Sequence, residues 1–255
     1  MRRLAACLLL ASAPLVAGCF DIEQNLTLER NLSGKAGFIM KVDMEPMVVF
    51  AAQMKRSMEG KEGPPTPAEL AEARKEMLDS STTSDMADME KDRKELEASL
   101  PAGVKLLDAS AKQDGLKTTV NLQFGFDHVS KLSAIKLPKG EGADPSEPGN
   151  PVESPFDGLT VTDEGGTILI TSKAQNPMAG AKEQLPSGDP AMAKQLGDLF
   201  KGLRVAFKVT APFAVAEQNA HRREGTTLVW EFDVNSLTTL TPAQLAQGIR
   251  VRYRK

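Results

Sequence analysis

The chain has 255 residues, 41% of them hydrophobic, which is enough for one good-sized domain or two small ones and excludes disorder throughout. Its 31 Lys and Arg stand against 34 Asp and Glu, and a formal net charge of −3 offers no bulk attraction to nucleic acid, which argues against such a partner. Aromatic residues make up only 5% while Met numbers 11, the composition of an adaptable interior and not of one anchored by rings.

Arg2 and Arg3 form a short basic start, and Leu4 through Val16 an apolar run too short to cross a hydrocarbon core of ~30 Å. This predicts a cleaved secretory signal over residues 1–18. The run ends in Val16-Ala17-Gly18-Cys19, small residues leading into a cysteine, and the string resembles the lipobox of bacterial lipoproteins. That resemblance implies cleavage between Gly18 and Cys19 and a diacylglyceryl group on the cysteine. Cys7 lies in the leader, so Cys19 is the single cysteine of the mature chain and no disulfide can form within it. Losing Arg2 and Arg3 takes the formal charge from −3 to −5, so acyl chains, not the protein's own field, must hold it at a membrane. Some systems retain lipoproteins at the inner membrane when Asp follows the cysteine. Phe20 stands there instead, which points to the outer membrane, with the domain facing the periplasm.

Alternation starts at once: Ile22, Leu26 and Leu28 oppose Glu23, Asn25, Thr27 and Glu29, which predicts a half-buried strand. Asn31 to Lys35 supplies turn residues, and Phe38, Met40, Val42 and Met44 mark the returning strand. The period then becomes helical, with Met47, Phe50, Met54 and Met58 recurring after Pro46. Thr66-Pro67-Ala68-Glu69 reads as a capping box opening a second helix to about Leu78, and a charged third helix is expected over 84–100. Leu116 to Phe126 is the cleanest strand, turned by Asp114-Gly115 from a partner at 104–111. A short helix is expected over 127–135.

Residues 137–158 are rich in Pro and Gly and predict a flexible loop. Beyond it, 159–162 pairs with 167–171, 203–210 with 226–234, and 249–253 forms a last strand. Asp189-Pro190 and Thr241-Pro242 read as further helix starts. The hairpins on either side of the loop are incomplete sheets alone, so the expectation is one α+β domain over 19–255: an antiparallel sheet of hairpins with packed helices and a helical insertion at 45–100 after the first hairpin.

The lipobox, the strand running into Asp127-His128-Val129-Ser130-Lys131-Leu132, and Phe207-Lys208-Val209-Thr210-Ala211-Pro212 followed by Thr227-Leu228-Val229-Trp230 together are similar to LppM-type bacterial lipoproteins. The resemblance implies a non-enzymatic α+β envelope domain, with lipid or glycolipid binding suggested for some members. In place of the hydrophobic segment that ends some members stands Arg250-Val251-Arg252-Tyr253-Arg254-Lys255.

No motif for catalysis stands out. His128 and His221 lack zinc-binding spacing, with Asp127 the simpler helix cap beside the first, and no nucleophile elbow, phosphate-binding glycine loop or mature free thiol is found. No metal, cofactor or enzymatic activity is therefore expected. Two features remain as candidates. Met40, Met44, Met47, Phe50, Met54 and Met58 form an apolar face suited to acyl chains, or simply fill an aromatic-poor core. Arg250, Arg252 and Arg254 share one strand face that could contact a lipid head group, or be the solvated face of an edge strand. Two functions follow: a lipid-anchored protein that binds a lipid, glycolipid or other apolar ligand, or a protein-interaction module of the envelope that uses the charged helices at 66–100.

Overall fold

The computed structural model describes residues 19–80, 86–136, 155–172, 202–239, 241 and 247–255. The leader, residues 137–154 of the expected loop and the helix expected from Asp189 lie outside them, as does most of the segment begun by Thr241.

The first hairpin is β1 (Cys19–Leu28) and β2 (Gly34–Asp43). Three helices follow, α1 (Glu45–Met58), α2 (Pro67–Ser80) and α3 (Met86–Ser99), within the bounds of the expected helical insertion. A second hairpin, β3 (Val104–Asp114) and β4 (Lys117–Phe126), turns at Gly115, whose φ of 58° is one that an L side chain resists. Next come a 3-10 helix (Val129–Ala134), β5 (Thr160–Asp163) and β6 (Thr167–Ser172). The chain ends with β7 (Arg204–Thr210), β8 (Ala214–Gln218), β9 (Arg222–Glu224), β10 (Thr227–Asp233), α4 (Val234–Thr239) and β11 (Ile249–Arg254).

These strands build a seven-stranded sheet in the order β3-β4-β2-β1-β7-β10-β9 and a four-stranded sheet in the order β5-β6-β11-β8. The fold is α+β with antiparallel pairing, as the alternation implies, except that β1 runs parallel to β7. A parallel partner so far along the chain leaves no mark on local sequence. The two sheets share one apolar core: Phe124, Trp230 and Leu122 from the larger meet Ile168, Ile170, Val251 and Tyr253 from the smaller. Each such side chain contributes roughly 1.5–3 kcal/mol by leaving water. Edge-on ring contacts, Phe207 with Trp230 and Phe124 with Phe156, each at 6.2 Å between centroids, fill the same space.

Three expectations change. Residues 214–218 and 222–224 form strands where only a turn is foreseen, because β8 leaves the larger sheet to pair with β11 in the smaller. Asn219 secures that crossing: its Oδ1 accepts from Trp230 Nε1 and from the Arg250 amide, both at 2.8 Å, and its Nδ2 donates to the Gly248 carbonyl at 2.9 Å. The helix after Phe126 is a 3-10 turn capped by His128, whose Nδ1 accepts from the Ser130 amide, while Asp127 is taken by Lys131 at 2.8 Å. Finally, Pro155 and Phe156 of the expected loop are buried. The Pro155 carbonyl accepts from buried Gln24 at 2.6 Å.

Candidate functional site

Cys19 is the first residue of β1, and its Cα lies opposite Asp43, the last residue of β2. The next residue, Phe20, is already buried opposite Val42. No spacer separates the cysteine from the folded sheet.

From Asp43 the chain enters α1 almost directly. The Met44 amide donates to the Leu116 carbonyl and the Glu45 amide to Asp43 Oδ1, both at 3.0 Å, which fixes where the helix starts. Glu45 in the first turn, Pro46 beside it and Lys55 and Arg56 in the last turn all suit the helix dipole and its free end groups. Val48 and Ala52 form the inward stripe and pack with Ala73, Leu70 and Met77 of the α2 region and with Leu116. Ion pairs clamp the same side: Arg56 to Glu69 at 2.9 Å, Lys55 to Glu72 at 2.9 Å, and Arg74 to Glu45 at 2.6 Å. The expected capping box is present, with the Thr66 amide donating to Glu69 Oε2 at 2.7 Å and the Glu69 amide to Thr66 Oγ1 at 3.3 Å.

The six residues of the apolar face therefore do not share one surface. Met40 is closed inside the intersheet core, and Met44 bridges that core and the smaller cluster under α1. Phe50 and Met54 lie two residues on from Val48 and Ala52, which turns them roughly 200° away from the inward stripe. Met54 is 43% exposed and Met58 85%, with Met47 and Phe50 half-buried. None of these four belongs to either apolar cluster. Helical spacing marks one apolar stripe of α1, but it is the small residues Val48 and Ala52 that take the side packed against Ala73 and Leu116.

Arg250, Arg252 and Arg254 sit on β11, which is flanked by β6 and β8 and is not an edge strand. The edge-strand alternative is corrected accordingly. Arg252 is held by Glu164 at 3.1 Å and Glu217 at 2.9 Å, so its charge is committed within the sheet, while Arg250 and Arg254 are exposed. On the inner side of the same strand Tyr253 is fully buried beside Phe213, with its hydroxyl lacking a hydrogen-bond partner among the described residues. Burial pushes its phenol above the usual range.

Sequence reasoning overlooks a ladder of charges across the larger sheet. Arg204 reaches Asp21 at 2.7 Å and Glu231 at 3.2 Å, Lys208 reaches Glu23 at 2.7 Å, and Arg222 reaches Glu231 at 2.7 Å. Partial burial opposes the charge on Arg204, yet its bonds to Glu231 and Asp21 outweigh this and hold the guanidinium more firmly protonated than usual. Burial likewise opposes the charge on Glu23, but bonds from Lys208 and Asn25 keep its carboxyl below the usual range. Glu231 is lowered by Arg204 and Arg222. Every member has an opposite neighbour, so the ladder joins β1, β7, β9 and β10 across the sheet. His221 sits at its end, with Nδ1 accepting from the Glu231 amide at 3.1 Å.

Among the described residues no cluster of His, Cys, Asp or Glu has the makings of a metal site, and no helix is long and apolar enough to cross a membrane. No known family model matches this chain, and no curated protein matches it in sequence. Among solved structures it is similar to the folded domain of Mycobacterium tuberculosis LppM, at 13% identity over 94% of this chain and 92% of that one. The TM-score is 0.38, a loose likeness that carries no argument about function.

Proposed function

We propose that this chain is a lipid-anchored lipoprotein of the bacterial envelope, held by acylated Cys19 in the outer membrane, whose periplasmic domain binds lipid and carries out no catalysis. The observation that carries this reading is the open face of α1. Met47, Phe50, Met54 and Met58 form an apolar stripe, rich in flexible, polarisable methionine, that belongs to neither apolar cluster of the described residues and is exposed at Met54 and Met58. Such a stripe is costly in water and suits acyl chains or another apolar ligand. The anchor reading rests on Val16-Ala17-Gly18-Cys19 behind a basic and apolar leader. The alternative of protein contact through the charged helices has less support, because the acids Glu69, Glu72 and Glu76 of α2 are already paired with Arg56 and Lys55 of α1.

Radioactive palmitate should label the wild-type chain, and Cys19→Ala should lose both the label and cleavage of the leader. A Cys19→Ala product that is still cleaved and still bound to membranes would reject the anchor. Lipid binding predicts lipid co-purifying with the mature wild-type chain in native mass spectrometry. A bare mass at every detergent concentration would reject it.

A further inference from the structure

The position of the anchor relative to α1 specifies what the open helix face meets. We propose that Met47, Phe50, Met54 and Met58 rest in the surface of the same bilayer that holds Cys19, as a second membrane contact that fixes how the domain stands; this rests on the reading of Cys19 as lipidated. Cys19 is the first residue of β1, so the lipidated residue of this reading stands directly on the sheet. Its partner Asp43 is one strand spacing away, ~5 Å, and Glu45 opens α1 two residues later, so the helix starts within about 12 Å of the anchor. An acylated cysteine lies at the lipid surface, and without a spacer the start of α1 lies there too.

The face itself fits that neighbour. It is apolar along the helix, exposed at Met54 and Met58 and half-buried at Met47 and Phe50, and it belongs to no apolar cluster of the described residues. The acids nearest the anchor are each neutralised within the protein: Asp43 by Lys117 at 3.2 Å, Asp21 by Arg204 at 2.7 Å, and Glu45 by Arg74 at 2.6 Å. A mildly acidic body thus presents little local repulsion to anionic head groups at this end. Partial insertion of an amphipathic helix adds to acyl anchoring in the way that a second signal does.

Acylation blocks the Cys19 thiol, so one introduced cysteine would be the only reactive thiol of the mature chain. Met54→Cys, Met58→Cys and, as control, Lys35→Cys would each carry an environment-sensitive dye. Lys35 is exposed at the other end of β2, ~27 Å from Asp43. The lipidated full chain is reconstituted in vesicles of phosphatidylethanolamine and phosphatidylglycerol, with and without nitroxide-labelled lipid. The expected result is a blue shift at positions 54 and 58 and loss of their emission to the nitroxide lipid, with neither change at position 35. Adding Met54→Glu and Met58→Glu together should reverse the same signal from a dye at Met47→Cys. Dyes at 54 and 58 that remain as aqueous and unquenched as the control overturn the proposal, whether the face is then bare or kept for a soluble partner. Thiol labelling of the unsubstituted wild-type chain would show instead that the anchor reading has failed. Because Met58 is 85% exposed, unfolding of its variants does not confuse the result, and matching thermal transitions check this.

Discussion

Tyr253→Phe should make this protein more stable. The Tyr253 side chain is fully buried between the sheets, and its hydroxyl lacks a hydrogen-bond partner among the described residues. A buried polar group left without a partner costs about 1–3 kcal/mol relative to water. Removing one oxygen keeps the ring contact with Phe213, 6.1 Å between centroids, and opens a void smaller than a methyl group, which returns only a few tenths of a kcal/mol. The net expectation is a gain of about 1 kcal/mol, or a Tm about 2–4 °C higher for a protein of this size. Because burial pushes the phenol above its usual value of 10.0, the group is neutral across ordinary pH and the gain should not vary between pH 6 and about pH 9. Urea unfolding of both chains, followed by fluorescence of the one Trp, measures the difference, and an unchanged slope shows that the same surface is exposed. Equal or lower stability in the variant would mean that the hydroxyl is hydrogen-bonded in the folded state, and would refute this account of the intersheet core.

Two further outcomes follow from packing and charge. Met40→Gln, which places an amide in the closed core, should cost about 2–4 kcal/mol, whereas Met58→Gln on the open face of α1 should change stability by less than about 0.5 kcal/mol. Equal costs in chemical unfolding would contradict the division of the methionines between core and surface. The carboxyls of Glu23 and Glu231 are held below their usual 4.5, so the folded state binds fewer protons than the unfolded one. Their stabilisation is therefore full above pH 4.5 and is lost as pH falls through the lowered values. Melting temperatures should drop across that window, and Glu231→Gln should flatten the drop; a variant with an unaltered acid slope would exclude Glu231 as a contributor.

Much of the fold is legible because its strands alternate cleanly. In β4, Thr118, Val120, Leu122, Phe124 and Phe126 all face the core, and the pattern exposes each intervening residue enough to mark the period. The strand β8, Ala214–Gln218, carries no such signal, since only Val215 and Ala216 are even half-buried. β11 misleads for a different reason: its arginines suggest an edge, but Glu164 and Glu217 on neighbouring segments supply the opposite charge that lets Arg252 stand in the interior of a sheet. For α1, the period reveals an apolar stripe but not the element that faces it. That choice depends on Ala73 and Leu116, which are distant in sequence and small enough or well enough placed to receive Val48 and Ala52. The charge ladder is hidden for the same reason, because Asp21 and Arg204 meet only once β1 has found β7.

The place of β1 in its sheet also decides how the protein bears load. The tether proposed at Cys19 would pull along a strand that is fourth of seven, bonded to β2 along all ten residues on one side and to β7 along seven on the other. Tension along that strand loads both ladders in shear, so many hydrogen bonds must give together before Phe20 or Leu26 can slide from the core. An edge strand pulled outward would instead unzip one bond at a time. A protein tethered at this point should withstand drag on the rest of its body far better than one tethered at β9, whose three residues form the opposite margin of the sheet.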